Sequence, residues 1–144
     1  MTRHLSKQLD GIQTDVLLQL FSDRILVLVT QLGKVGNLIQ AAIPNTIPLA
    51  PPASPNELPE PSPAIQLTPL LGNAPTPHMQ TLHSLYAAQI ATIMWTTASP
   101  LDVTRRSVVV GIALKPSQSD DETLSQRERD VFAGVMSMVA EIAQ

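Results

Sequence analysis

The stretch Phe21-Ser22-Asp23-Arg24-Ile25-Leu26-Val27-Leu28-Val29-Thr30-Gln31-Leu32-Gly33-Lys34-Val35-Gly36-Asn37-Leu38-Ile39-Gln40 decides the fold. Ile25 to Val29 are five consecutive apolar residues, rich in Val and Ile. Such a run is too short for a helix of ordinary length. Its β-branched content reads as a strand covered on both faces. Gly33 and Gly36 can supply the positive φ of a tight reversal, and Leu38 and Ile39 start a returning strand. The expected centre of the fold is therefore a buried hairpin.

Upstream, Ser6-Lys7-Gln8-Leu9 is a short polar strand, and Asp10-Gly11 is a strong hairpin turn because both residues tolerate positive φ. His4 falls in a frayed terminus on this reading. From Gln13 to Leu20 the chain alternates, with Thr14, Val16, Leu18 and Leu20 on one side and Asp15, Leu17 and Gln19 on the other. Leu17 breaks the polar side, which implies cover on both faces in mid-strand. Connections this short are incompatible with parallel crossovers, so strands one to four are expected as an antiparallel meander.

Downstream, residues 43–63 carry eight prolines: Pro44, Pro48, Pro51, Pro52, Pro55, Pro59, Pro61 and Pro63. Proline removes backbone donors and fixes φ, so neither sheet nor helix can run through. The segment reads as a flexible, extended loop, either an insertion or an arm that contacts a partner. Ile65 to Leu71 alternates as a strand, and Pro69 places it at an edge or bulge. Thr76-Pro77 opens a helix, with Thr as N-cap and Pro in the first turn. Met79, Leu82, Tyr86, Ile90, Ile93 and Met94 form its apolar stripe, and it should end before Thr96-Thr97. Ser107 to Leu114 is a second continuous apolar strand, in which Gly111 marks a bulge or a close helix approach. Ser125-x-x-Glu128 fits a capping box for a last helix whose buried face is Leu124, Val131, Phe132, Val135, Met138, Val139 and Ile142. The order is β-β-β-β-(Pro-rich loop)-β-α-β-α: one α+β domain over 1–144, an antiparallel sheet of six strands packed with two helices.

Composition limits the function. Hydrophobic residues are 44% of the chain and aromatics 3%, so Leu, Val, Ile and Ala must fill the core. A net charge of −3 and no basic run longer than Arg105-Arg106 argue against nucleic acid. No cysteine is present, which excludes disulfides, thiolate metal sites and cysteine nucleophiles. No secretory signal and no membrane-spanning apolar run is visible. His78 and His83, five residues apart, fall on different faces of the helix and do not form a ligand pair. Gly33-Lys34-Val35-Gly36 lacks the spacing of a phosphate loop and precedes a strand. Asp120, Asp121 and Glu122 lack the alternation and central glycine of a calcium loop. Met79 with Met94, and Met136 with Met138, suit core packing or an adaptable groove. No catalytic constellation, metal or cofactor is expected. The residues alone indicate a non-catalytic binding module, for instance a scaffold subunit of a multiprotein complex.

At residues 21–38 the pattern Phe-Ser-x-x-Ile-Leu-Val-Leu-Val-Thr-Gln-x-Gly-Lys-x-Gly-x-Leu resembles the signature of the proteasome assembly chaperone 3 family. Leu70-Leu71-Gly72, the helix near His78, the Val-rich strand at 107–114 and the C-terminal helix agree in order. The similarity covers nearly the whole chain outside residues 43–63, as in a fungal-type member with a Pro-rich insertion. The resemblance implies a non-enzymatic chaperone of 20S proteasome assembly. It would pair with a chaperone 4 type subunit as a heterodimer, bind proteasome α subunits and promote α-ring formation. It also implies cytoplasmic or nuclear location and no cofactor. A homodimer is expected when the partner is missing, if the pairing surface is self-complementary. On exposure grounds Arg24, Lys34 and Arg105 are the candidate partner contacts.

Overall fold

The computed structural model describes residues 2–31, 33, 36–49, 58–74, 76–97, 106–115 and 126–143. The strands are β1 (Thr2–Leu9), β2 (Ile12–Leu20), β3 (Arg24–Thr30), β4 (Asn37–Ala42), β5 (Gln66–Leu71) and β6 (Ser107–Ala113). The helices are α1 (Pro77–Thr97) and α2 (Gln126–Ala143). Elements therefore follow the expected order in an α+β fold.

β1, β2 and β3 form the expected antiparallel meander, and Asp10 and Gly11 turn it with φ of 53° and 74°. β1 begins earlier than expected, at Thr2. Its full length pairs with β2, and Arg3 Nη1 donates to the Ile142 carbonyl of α2 at 2.8 Å. His4 is thus a strand residue and not a frayed end.

The expected β3–β4 hairpin does not form. The sheet order is β1-β2-β3-β6-β4-β5, with β6 inserted between β3 and β4, parallel to the first and antiparallel to the second. The sheet is mixed. Neighbouring strands lie only about 4.8 Å apart, so a connection of a few residues can step across one vacant strand position. β6 fills that position because Val108 to Ala113 are buried on both faces, a burden only a central strand can carry. Gly36 borders this insertion with φ 71°, and a Cβ there would lie 2.3 Å from the Ile112 carbonyl oxygen. Gly111 introduces no bulge. It continues the register between Leu28 and Leu38.

Both helices cover one face of the sheet. α2 lies over β1 and β2, α1 over β4, β5 and β6, and the two helices touch. The core is built from Val16 and Leu18 of β2, Ile25, Val27 and Val29 of β3, Ile39 of β4, and Val108, Val110 and Ile112 of β6, all facing the helices. Leu26 and Leu28 point the other way and are only half-buried, so β3 is covered on one face and not on two.

Twelve of the 21 residues of α1 are buried. The Thr76 hydroxyl accepts from the Met79 amide at 3.1 Å, which is the expected N-cap. The helix runs on through Thr97, and there the Thr96 and Thr97 hydroxyls donate to the Thr92 and Ile93 carbonyls at 2.9 and 2.8 Å. Its outer side is covered by the proline-rich segment. Pro59 is buried and its carbonyl accepts from Gln89 Nε2 at 2.8 Å, while Ile47 and Leu49 pack on the core. β5 occupies the sheet edge, as Pro69 required. Ser125 of the expected capping box, Leu124 and the acidic cluster at 120–122 lie outside the described residues.

Candidate partner-binding surface

Register alternation determines what the second face of the sheet displays. In β2, β3 and β4 the helix-facing residues are buried, and those between them are half-buried. Following the pairing across the sheet, Leu17 lies beside Leu28, Leu28 beside Gly111, Gly111 beside Leu38, and Leu38 beside Leu71. Leu71 ends this apolar row at the edge, 66% exposed. A second row places Leu26 beside Val109. Val109 and Ala113 are buried yet lie outside the core cluster. No described helix covers these residues. An apolar sheet face of this kind, with polar surroundings, has the composition of an interface.

The rim is polar. On β1 and β2, Ser6 donates to the Asp15 carboxylate, and His4 Nε2 lies 3.5 Å from the same carboxylate. The Ser6 hydrogen bond holds the Asp15 carboxyl below its usual value. On β3, Arg24 is in step with Leu26 and Leu28, exposed, with Nε 3.5 Å from Asp23. Lys34 and Arg105 lie outside the described residues. Sequence reasoning noted Leu17 only as breaking the polar side of its strand, and named none of Leu17, Leu26, Leu28, Leu38 and Leu71 as a partner contact. The signal was present, since Leu17 broke the polar side of β2.

The polar groups beneath the helices are struts. His78 and Glu128 bind each other at the starts of α1 and α2. His83, 4% exposed, accepts at Nδ1 from Asn37 Nδ2 at 3.2 Å, while its Nε2 is buried without a partner, and burial lowers its pKa. Among the described residues no group of three His, Cys, Asp or Glu is placed to hold a metal. Among the described residues no helix is long and apolar enough to cross a membrane.

The geometry defines a two-layer α+β domain with one sheet face that no described helix covers. No protein-family model matches the chain, and no curated protein matches it. Among solved structures it is similar to a chain in the crystal structure of a novel chaperone complex for yeast 20S proteasome assembly. The TM-score is 0.56 and the identity 13%, over 97% of this chain and 99% of that one. At this identity the likeness is one of fold.

Proposed function

We propose that this chain is a non-enzymatic proteasome assembly chaperone. It pairs with a chaperone 4 type subunit through the open sheet face, and the pair binds 20S α subunits and promotes α-ring assembly. The observation that carries the reading is the apolar row Leu17–Leu28–Gly111–Leu38–Leu71 on a face that no described helix covers. Two such faces stacked would be an ordinary sheet-on-sheet packing, about 10 Å apart. The likeness to a chain of a chaperone complex supports a chaperone partner. The work of such a chaperone is binding: it stabilises an intermediate by differential affinity, and later subunits displace it by competing for the same surface. The same face can pair two copies of this chain when the partner is missing. The site of action on this reading is the cytoplasm or nucleus, and no cofactor takes part.

The test mixes the chain with labelled α subunits, with and without a chaperone 4 type partner, and follows complex formation by light scattering. The expected result is a heterodimer that gains α subunits. A chain that stays monomeric and ignores both at micromolar concentration would end this reading. Recovery of a different stable complex from its own cells, without proteasome subunits, would favour the scaffold alternative.

A further inference from the structure

We propose that the outer edge of β1 pairs with β1 of a second copy of this chain, antiparallel about a two-fold axis at Ser6, joining the two sheets into one. This edge is separate from the sheet face opposite the helices, so the pairing does not rest on the chaperone reading. The two edges of the sheet are unlike. β5 closes its edge with Pro69 and a register shift between Leu38 and Ile39, devices that blunt strand addition. β1 closes the other edge with eight residues, no proline and an unbroken register to β2. Among the described residues no strand pairs with its outer side. Charged side chains also guard edges, but Arg3 and Lys7 reach over the sheet to α2. Arg3 Nη1 donates to the Ile142 carbonyl, and Lys7 Nζ lies 3.0 Å from Glu141. An edge without such guards is a template for another strand.

The sequence of β1 suits a second copy and selects the register. Directly opposed residues share a face, so a two-fold axis normal to the sheet must pass through a residue. Pairing with β2 places Arg3, Leu5, Lys7 and Leu9 on the helix side, and Thr2, His4, Ser6 and Gln8 on the other. Like charges directly opposed destabilise a strand pair. An axis at Leu5 would oppose Arg3 to Lys7, and one at Lys7 would oppose Lys7 to itself. An axis at His4 would pair only Thr2 to Ser6. An axis at Ser6 pairs Arg3 to Leu9 throughout. It sets Arg3 against Leu9, His4 against Gln8 and Leu5 against Lys7, with no like charges opposed. Leu5 and Leu9 are only half-buried, and the stems of Lys7 and Arg3 opposite them add cover. The same axis keeps the helices of both copies on one side. α2 lies over β1 and β2, so the two α2 axes fall about 10 Å apart, the spacing of packed helices.

The test follows the full chain by sedimentation equilibrium and by amide hydrogen exchange, from low to high concentration. A dimer is expected, with β1 amides gaining protection as it forms. Two double variants then probe the register. His4→Lys with Gln8→Lys opposes like charges twice across the axis, whereas His4→Lys with Gln8→Glu opposes unlike charges twice. The first should dimerise about two- to thirtyfold more weakly than the second. Both positions are exposed, so both variants should fold. A chain that stays monomeric at hundreds of micromolar overturns the pairing. So does a dimer whose β1 amides exchange as they do in the monomer, or one indifferent to the sign of the charge at position 8. A dimer lost in a folded Leu28→Asp variant would belong to the other sheet face and would overturn it too. None of these outcomes bears on binding to α subunits.

Discussion

His78 Nε2 lies 2.8 Å from Glu128 Oε2, and their side chains are 12% and 7% exposed, so one buried pair fastens the start of α1 to the start of α2. Two helix N-termini thereby share one carboxylate, each placing its positive end near it. Lys7 and Glu141 make a pair of similar length, 3.0 Å, but with side chains 46% and 57% exposed. Water screens the second pair and not the first. A double-mutant cycle on His78 and Glu128 should give a coupling above about 1 kcal/mol, whereas Lys7 and Glu141 should give about 0.5 kcal/mol or less. Urea denaturation of the single and double alanine variants measures both. Equal couplings would show that the buried pair is not the tie between the helices.

His83 gives the fold a pH dependence. Burial lowers its folded pKa below the ordinary histidine value of 6.5, so the folded state favours the neutral ring. The sign follows directly: stability is fully present above the unfolded pKa and falls as pH drops below about 6.5, because the unfolded chain takes up the proton first. One group can contribute at most about 1.4 kcal/mol per pH unit. His83→Gln should flatten the stability curve between the unfolded pKa and the lower folded one. An unchanged slope in chemical denaturation from pH 7 to 5 would show that His83 titrates freely.

The Gln89–Pro59 hydrogen bond ties the end of the proline-rich segment to α1. Composition alone makes residues 45–62 dispensable for folding, but deletion would uncover Gln89, which is 8% exposed, and remove Ile47 and Leu49 from the core edge. The deletion should therefore cost about 2–4 kcal/mol, from one unpaired buried amide and lost apolar cover. Gln89→Leu in the deleted chain should recover the part due to the amide. A melting temperature within a few degrees of wild type would restore the simpler view of this segment.

Gly36 is where the chain leaves β3's side of β6 and enters β4. Any side chain there meets the Ile112 carbonyl at 2.3 Å, and φ is 71°. Gly36→Ala should cost more than about 1 kcal/mol through backbone strain alone, with further loss from the clash. Equilibrium unfolding gives the number. A neutral result would mean that the β4–β6 pairing tolerates a shift at this turn.

Much of this was legible in the sequence because local chemistry dictated it. Asp10-Gly11 could only turn, Thr76-Pro77 could only open a helix, and Pro69 could only sit at an edge. The insertion of β6 was not legible, because nothing near Gly33 or Gly36 records that the distant strand Ser107–Ala113 fills the gap. The signal lay in β6 itself, whose unbroken Val108–Val110 run needs neighbours on both sides. The open face was hidden for a related reason. Ile25 to Val29 reads as doubly buried whether the second cover is a helix of the same chain or another protein, and sequence pattern does not distinguish the two.

Val27 and Leu28 are adjacent in β3 and face opposite sides of the sheet, which makes them a paired test of fold and function. Val27 is 0% exposed beneath the helices, beside Val110. Val27→Asp would bury a charge with no partner, at a cost of several kcal/mol, and should abolish the cooperative thermal transition. Leu28 is half-buried on the open face, beside Leu17 and Gly111. Leu28→Asp should leave the thermal transition within a few degrees of wild type, because Leu28 is only half-buried and no described helix covers it. It should nonetheless abolish heterodimer formation, since the charge would be trapped unpaired between two apolar faces. Circular dichroism reads the first effect and light scattering the second. Unfolding by both substitutions would mean that the second face is covered within this chain, and binding by a folded Leu28→Asp would move the partner surface elsewhere.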